Sequence, residues 1–136
     1  MRTLRTAVPG SILAIAVAVA AACGGSSSDN PSGPSGGCTP SSSPNTIVIQ
    51  NNQVCPTTLT IARGSQVTMI NNDSRTHEMD SDPHPEHTQC PELNQIDFLN
   101  PGQSRTSGNL NTARTCGFHD HQNPTARALQ GTITVQ

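Results

Sequence analysis

Short runs rich in β-branched residues, each ending at a turn-forming residue, recur throughout residues 45–136 of this 136-residue chain. The runs lie at residues 46–50, 58–62, 66–70, 96–99, 103–110, 112–118 and 131–135. Gly, Pro, Asn and Ser dominate the segments between them, and no stretch has a clear helical pattern. The pattern predicts an all-β domain, a Greek-key β-sandwich or barrel of about seven short antiparallel strands.

The N-terminus predicts export from the cytoplasm. Residues 1–22 combine a basic start, a short apolar run and small residues, as in a secretory signal peptide, and the run is short for a membrane span. The residues leading to Cys23 resemble a bacterial lipobox, which implies a lipid on Cys23 and a membrane-anchored lipoprotein. Ordinary cleavage after the Ala-x-Ala pattern would instead release a protein with a spare cysteine. Both routes give an extracytoplasmic location that permits disulfides.

The chain divides into three segments. Residues 24–44 contain eight Ser, five Gly and four Pro, so residues 23–44 are expected to form a flexible tether behind the lipidated cysteine. Residues 45–136 are enough for one small domain with a modest core and too few for two.

Composition narrows the classes of partner. The chain has no Trp and no Tyr and only two Phe, so stacking on nucleic-acid bases is not expected. Without the signal peptide five Arg oppose nine acidic residues, a net charge of about −4, and seven of the acids lie between Asp73 and Asp97. This acidic region could steer a basic partner, or it could simply be a solvated loop.

The histidines and one cysteine predict a copper site. All five His lie between His77 and His121, and Cys116 and His119 stand in a Cys-x-x-His pair. A thiolate joined by imidazoles from a distant segment suits copper, which can then exchange one electron. His121 is a further candidate ligand.

A proline-rich segment at residues 80–92 supplies two more candidate ligands. It carries His84 and His87, and its prolines predict a long loop immediately after His77. These two histidines are candidates for this metal site or for a second one.

Two stretches carry a resemblance to plastocyanin-like cupredoxins, the type 1 blue copper family. The first is VxPxxLxIxxGxxVxMxNNDxxxH at residues 54–77, and the second is Cys116-x-x-His119 followed by LQGTITV at residues 129–135. The resemblance implies one copper ion bound by His77, Cys116 and His119. It also puts Leu129 where the family has its axial Met, which leaves either no axial donor or His121 in that role.

The function implied by this resemblance is one-electron transfer at the cell envelope with a protein redox partner. No arrangement of nucleophile and base is evident, so neither enzymatic activity nor a small-molecule substrate is expected. A copper carrier or storage module without redox turnover is the alternative, and a copper-free scaffold is a third reading. Residues 117–121 also resemble the copper segment of Cu,Zn superoxide dismutase, but no histidine follows His121 to complete that site.

The cysteines leave two alternatives open. Apart from Cys23, four cysteines can pair in three ways. If Cys116 binds copper, Cys55 and Cys90 are the expected disulfide and Cys38 stays unpaired. If Cys116 instead pairs with Cys90, and Cys38 with Cys55, copper would be bound by histidines alone. The resemblance favours the copper thiolate.

Overall fold

The computed structural model describes residues 37–136, which fold into nine short strands and two single-turn 3₁₀ helices. The predicted signal peptide at residues 1–22 and the predicted lipidation site Cys23 lie outside the described residues. The strands are β1 Thr46–Gln50, β2 Gln53–Cys55, β3 Thr58–Ile61, β4 Thr68–Asn71, β5 His77–Ser81, β6 Asp97–Leu99, β7 Ser104–Thr106, β8 Arg114–Asp120 and β9 Gln130–Val135. The 3₁₀ helices span Leu93–Gln95 and Arg127–Leu129.

The strands form two sheets, in the orders β2-β1-β4-β7 and β3-β9-β8-β5-β6. The predicted all-β sandwich is confirmed. The prediction of about seven strands, all antiparallel, needs correction: there are nine, and β1 pairs with β4, and β3 with β9, in parallel. Parallel neighbours require a crossover between sheets, which local sequence patterns do not reveal.

An aliphatic core fills the space between the sheets. Every second residue of each inner strand points inward, as in Met79 of β5 and Ile133 of β9, and both are fully buried. Among the described residues, Phe118 is the only phenylalanine in the core, and it packs against Gly131. A side chain at Gly131 would collide with that ring, so the glycine leaves room for the ring beside the neighbouring strand.

Strand β5 was missed by the sequence prediction, which placed a long loop directly after His77. Residues 77–81 instead form a strand paired with β6 on one side and β8 on the other. Its outward residues, Glu78 and Asp80, are acidic, so the strand lacks the β-branched residues that mark the others. The loop begins at Asp82.

The N-terminal end of the described chain is attached to the sandwich. Cys38 forms a disulfide with Cys55, and the Thr39 amide donates a hydrogen bond to the Gln50 side chain at 3.0 Å. Cys38 would be unpaired only if Cys116 bound copper; the structure has the other pairing, in which Cys38 is bonded to Cys55 and Cys90 to Cys116. Within residues 37–136 no helix has the length and apolar character needed to cross a membrane.

Candidate metal centre

The register of β5 and β8 sorts the candidate ligands onto two faces of the five-stranded sheet. Met79 pairs with Asp120, and Asp80 with His119. Since successive strand residues point to opposite faces, Asp120 points toward the core and His119 points outward. The His121 amide continues the pairing by donating to the Glu78 carbonyl at 2.7 Å, which keeps His121 on the outward side with His119.

A loop at residues 82–90, called here the covering loop, lies over this outward face. The Asp82 amide donates to the Gly117 carbonyl of β8 at 3.0 Å, and the Gly117 amide donates to Gln89 Oε1 at 2.7 Å. The His87 carbonyl accepts hydrogen bonds from the Ser81 hydroxyl and from the side-chain Nδ2 of Asn94. These contacts fix both ends of the loop to the sheet and bring its histidines over β8.

Four histidines thereby meet on the outward face. His84 and His87 come from the covering loop, and His119 and His121 from the end of β8; together they form the four-histidine cluster. One ring nitrogen of each lies within 4.8 Å of the others. Five of the ring pairs have centroids 4.8 to 5.7 Å apart. Two nitrogens on opposite sides of one metal ion are at most about 4.2 Å apart, so the rings would have to move closer together to bind one ion.

One buried nitrogen of this cluster has no hydrogen-bond partner among the described residues. His119 is 2% exposed, its Nδ1 lies 2.7 Å from Asp82 Oδ1, and its Nε2 is buried without a hydrogen bond among the described residues. A buried polar atom left unpaired is unfavourable unless something absent from the protein chain satisfies it. A metal ion bound to Nε2 would do so.

The other three rings of the cluster make few hydrogen bonds. His121 Nδ1 and His87 Nε2 lie 3.1 Å apart, so one ring donates to the other. His84 is exposed at the rim, and the cluster is open to solvent on that side. A metal ion could replace the one hydrogen bond between His87 and His121 and take ligands from all four histidines.

Carboxylates surround the cluster. Asp80 Oδ2 lies 3.7 Å from His87 Nδ1 and 3.8 Å from His121 Nδ1. Burial lowers the pKa of His87; Asp80 opposes this effect, and the neighbouring imidazoles add to it. Burial raises the pKa of Glu78, against the attraction of His121. The lowered pKa of His87 favours its uncharged, metal-binding form, and the Asp80 carboxylate beside His87 and His121 favours a bound cation.

Cys116 lies elsewhere, and the predicted copper thiolate is contradicted. Its sulfur is bonded to Cys90, both cysteines are fully buried, and Cys116 faces the core opposite Ile133. The predicted bridge between Cys55 and Cys90 is therefore also wrong. In a continuous strand, residues three apart point to opposite faces, so Cys116 and His119 cannot share an ion.

His77 is likewise separate from the cluster. It is fully buried on the core side, with Nδ1 3.0 Å from Asp120 Oδ2 and Nε2 3.0 Å from Asp73 Oδ2. Burial alone would raise the pKa of Asp120, but hydrogen bonds from His77 and Asn123 outweigh it and the pKa lies below its ordinary value. With both ring nitrogens engaged, His77 acts as a structural partner of Asp120.

The other predicted site residues lie either in the core or in the four-histidine cluster. Leu129, predicted at the axial position, is fully buried in the core and offers no ligand atom. His119 and His121, predicted as ligands, and His84 and His87, predicted as additional ones, are the four residues that the fold brings together. Sequence reasoning did not predict that Asp80 and Asp82 lie beside these histidines. The available signal was the alternation of the two aspartates with Met79 and Ser81, which is typical of a strand.

Comparisons with known proteins identify the fold. No protein-family model matches the chain, and no curated protein is significantly similar to it. A purple cupredoxin from Nitrosopumilus maritimus is 20% identical with a TM-score of 0.52, over 67% of this chain and 98% of that one. Oxidised plastocyanin from Dryopteris crassirhizoma is also 20% identical with a TM-score of 0.52, and the match covers 67% of this chain and 99% of that one.

An amicyanin variant in its Cu(I) form is 17% identical with a TM-score of 0.54, over 67% of this chain and 80% of that one. At these identities the matches establish the fold. The described domain has the cupredoxin fold, which confirms the predicted resemblance at that level.

Proposed function

We propose that this protein is an extracytoplasmic copper-binding protein that carries or stores Cu(II) in the four-histidine cluster. The observation that supports this most strongly is the buried, unpartnered Nε2 of His119 beside three other imidazoles. Imidazoles suit copper, zinc, nickel and iron. Among divalent first-row ions Cu(II) binds such sites most tightly, and the fold is that of the Cu(I) amicyanin matched above.

Carriage or storage fits the position of the cluster. The site opens at the surface beside His84, so an incoming chelator could reach the ion without unfolding the domain. The acidic residues of β5 and of the covering loop, Glu78, Asp80, Asp82 and Glu86, favour a basic partner for transfer. We propose no enzymatic step.

Electron transfer with a protein partner at the cell envelope is the second candidate, and the likeness to plastocyanin supports it. It would have to proceed through imidazole ligands alone, because Cys116 is held in a disulfide. An all-imidazole ligand set favours Cu(II) more strongly than a thiolate site does. The proposal for carriage or storage therefore comes first.

The test is Cu(II) titration of the purified full-length protein, with affinity from a competing chelator and coordination from electron paramagnetic resonance. We expect one ion per chain, hyperfine structure from nitrogen ligands, and only a weak visible absorption. The variants His84→Ala and His121→Ala should each bind at least about 10-fold more weakly, whereas His77→Gln should bind as the wild type does. Unchanged affinity in the two cluster variants would contradict the site.

Voltammetry separates the two functions. An electron carrier should cycle reversibly with copper retained in both oxidation states. A carrier or storage protein should lose its ion on reduction or to a stronger chelator. An intense visible band that disappears in Cys116→Ser would restore the copper thiolate and refute the histidine-only site.

We propose further that the protein is a lipoprotein anchored through Cys23. The support is the lipobox-like sequence that ends the predicted signal peptide and leads to Cys23. Cys23→Ser should abolish labelling with radioactive palmitate and move the protein from the membrane to the soluble fraction. Persistence of both labelling and membrane association in the variant would contradict the anchor.

A further inference from the structure

Asp82 makes the shortest contact that any carboxylate makes to the four-histidine cluster. Its Oδ1 lies 2.7 Å from His119 Nδ1. A carboxylate can only accept here, so the Nδ1 atom carries the proton and donates it to Asp82. In a neutral imidazole the other nitrogen, Nε2, then holds a free lone pair.

The backbone holds Asp82 in place for this contact. Its amide donates to the Gly117 carbonyl at 3.0 Å, and its carbonyl accepts from the Gln89 amide at 2.8 Å. The aspartate is therefore fixed to β8 from one side and to the end of the covering loop from the other.

Gly117 provides the space that the carboxylate occupies. A Cβ atom built at this glycine would lie 1.9 Å from Asp82 Oδ2 and 2.8 Å from Asp82 Cγ. The carboxylate thus lies directly over the glycine, two residues before His119 on the same face of the strand. Any side chain at this position would push Asp82 away from the histidine.

We infer that Asp82 is a positioning residue for the copper site: it fixes the tautomer and ring orientation of His119 so that Nε2 is presented to the metal, and Gly117 makes this contact sterically feasible. This inference rests on the proposed function. Second partners of metal-bound histidines typically contribute 10- to 100-fold in affinity.

The decisive variant is Asp82→Asn, which keeps the shape of the side chain. Its amide group can donate to Nδ1, which stabilises the tautomer with the proton on Nε2 and blocks metal binding there. We expect copper affinity to fall about 10- to 100-fold. In the metal-free protein, ¹⁵N chemical shifts of the His119 ring should show the proton moving from Nδ1 to Nε2.

Glu86→Gln is the matched control. Glu86 is an exposed acid of the same loop, and its replacement removes the same unit of charge. A role for Asp82 through charge alone would lower the affinity equally in the two variants and leave the His119 tautomer unchanged, and that result would overturn the inference. Absence of copper binding by the wild type would instead overturn the proposed function, and the wild-type titration reports it directly.

Gly117→Ala tests the same contact from the opposite side. We expect a loss of copper affinity similar to that of Asp82→Asn, and no further loss when the two are combined, because both break one contact. Wild-type affinity in Gly117→Ala would contradict the steric part of the inference. If this variant does not fold, the tautomer of His119 in Asp82→Asn still decides the question.

Discussion

Two histidines of β5 and β8 show how the availability of a ring nitrogen separates a structural residue from a ligand. His77 and His119 are both buried, but His77 is bonded to a carboxylate through each nitrogen, whereas His119 keeps Nε2 free. The residue type and its burial are the same in the two cases. Only Nε2 differs: it is hydrogen-bonded to Asp73 in His77 and is free in His119, so only His119 can bind an ion through it.

This difference predicts opposite effects of two alanine substitutions. His77→Ala removes one hydrogen-bond partner of the fully buried Asp120 carboxylate and leaves Asn123 as another, and it should cost about 3 kcal/mol of stability with unchanged copper affinity. His84→Ala, at an exposed position, should leave stability within about 0.5 kcal/mol and weaken copper binding. Urea unfolding and copper titration of both variants measure the two quantities. A copper defect in His77→Ala would contradict the structural role.

At the scale of elements, the covering loop is bound to β8 by the disulfide between Cys90 and Cys116, which spans 26 residues. The cross-link joins the segment that carries His84 and His87 to the strand that carries His119. The other disulfide, between Cys38 and Cys55, spans 17 residues and ties the N-terminal segment to β2. The two bridges have similar spans, but only one of them joins the two halves of the metal site.

Replacing each pair of cysteines by serine should therefore separate stability from metal binding. Loops of this size predict a loss of about 3 kcal/mol for either double variant. Copper affinity should fall only in Cys90→Ser/Cys116→Ser, because only there is the covering loop released from β8. Denaturant unfolding and chelator competition provide the two measurements. Equal copper affinity in both double variants would show that backbone hydrogen bonds alone hold the loop.

The same elements show what the sequence could and could not predict. The β-branched runs predicted the sandwich, and the sequence placed His119 and His121 at a candidate metal site, where the fold brings them together with His84 and His87. That these histidines bind an ion stays a prediction. The Cys-x-x-His spacing was misleading because residues 116–119 lie within a continuous strand, which puts Cys116 and His119 on opposite faces. Strand β5 was missed because Glu78 and Asp80, its outward residues, are polar. Both errors concern side-chain direction, which depends on strand boundaries and pairing.

At the scale of the whole molecule, the sandwich supplies a rigid strand with two outward histidines, and a bound ion would connect that strand to the covering loop. An ion that binds only the folded state stabilises it by mass action. Free Cu(II) at 100 times its dissociation constant should add about 2.7 kcal/mol, or roughly 10 to 20 °C in Tm for a domain of this size. The stability of the whole domain thus reports occupancy of the site.

This linkage predicts an order among metals. At equal chelator-buffered free concentrations, Cu(II) should raise the Tm more than Zn(II), because copper binds imidazole sites more tightly. In His84→Ala/His121→Ala, which lacks one ligand from the covering loop and one from β8, the rise should disappear for both ions, whereas His77→Gln should retain it from a lower starting Tm. A rise in Tm that survives in the double variant would mean that the stabilising ion binds elsewhere on the domain.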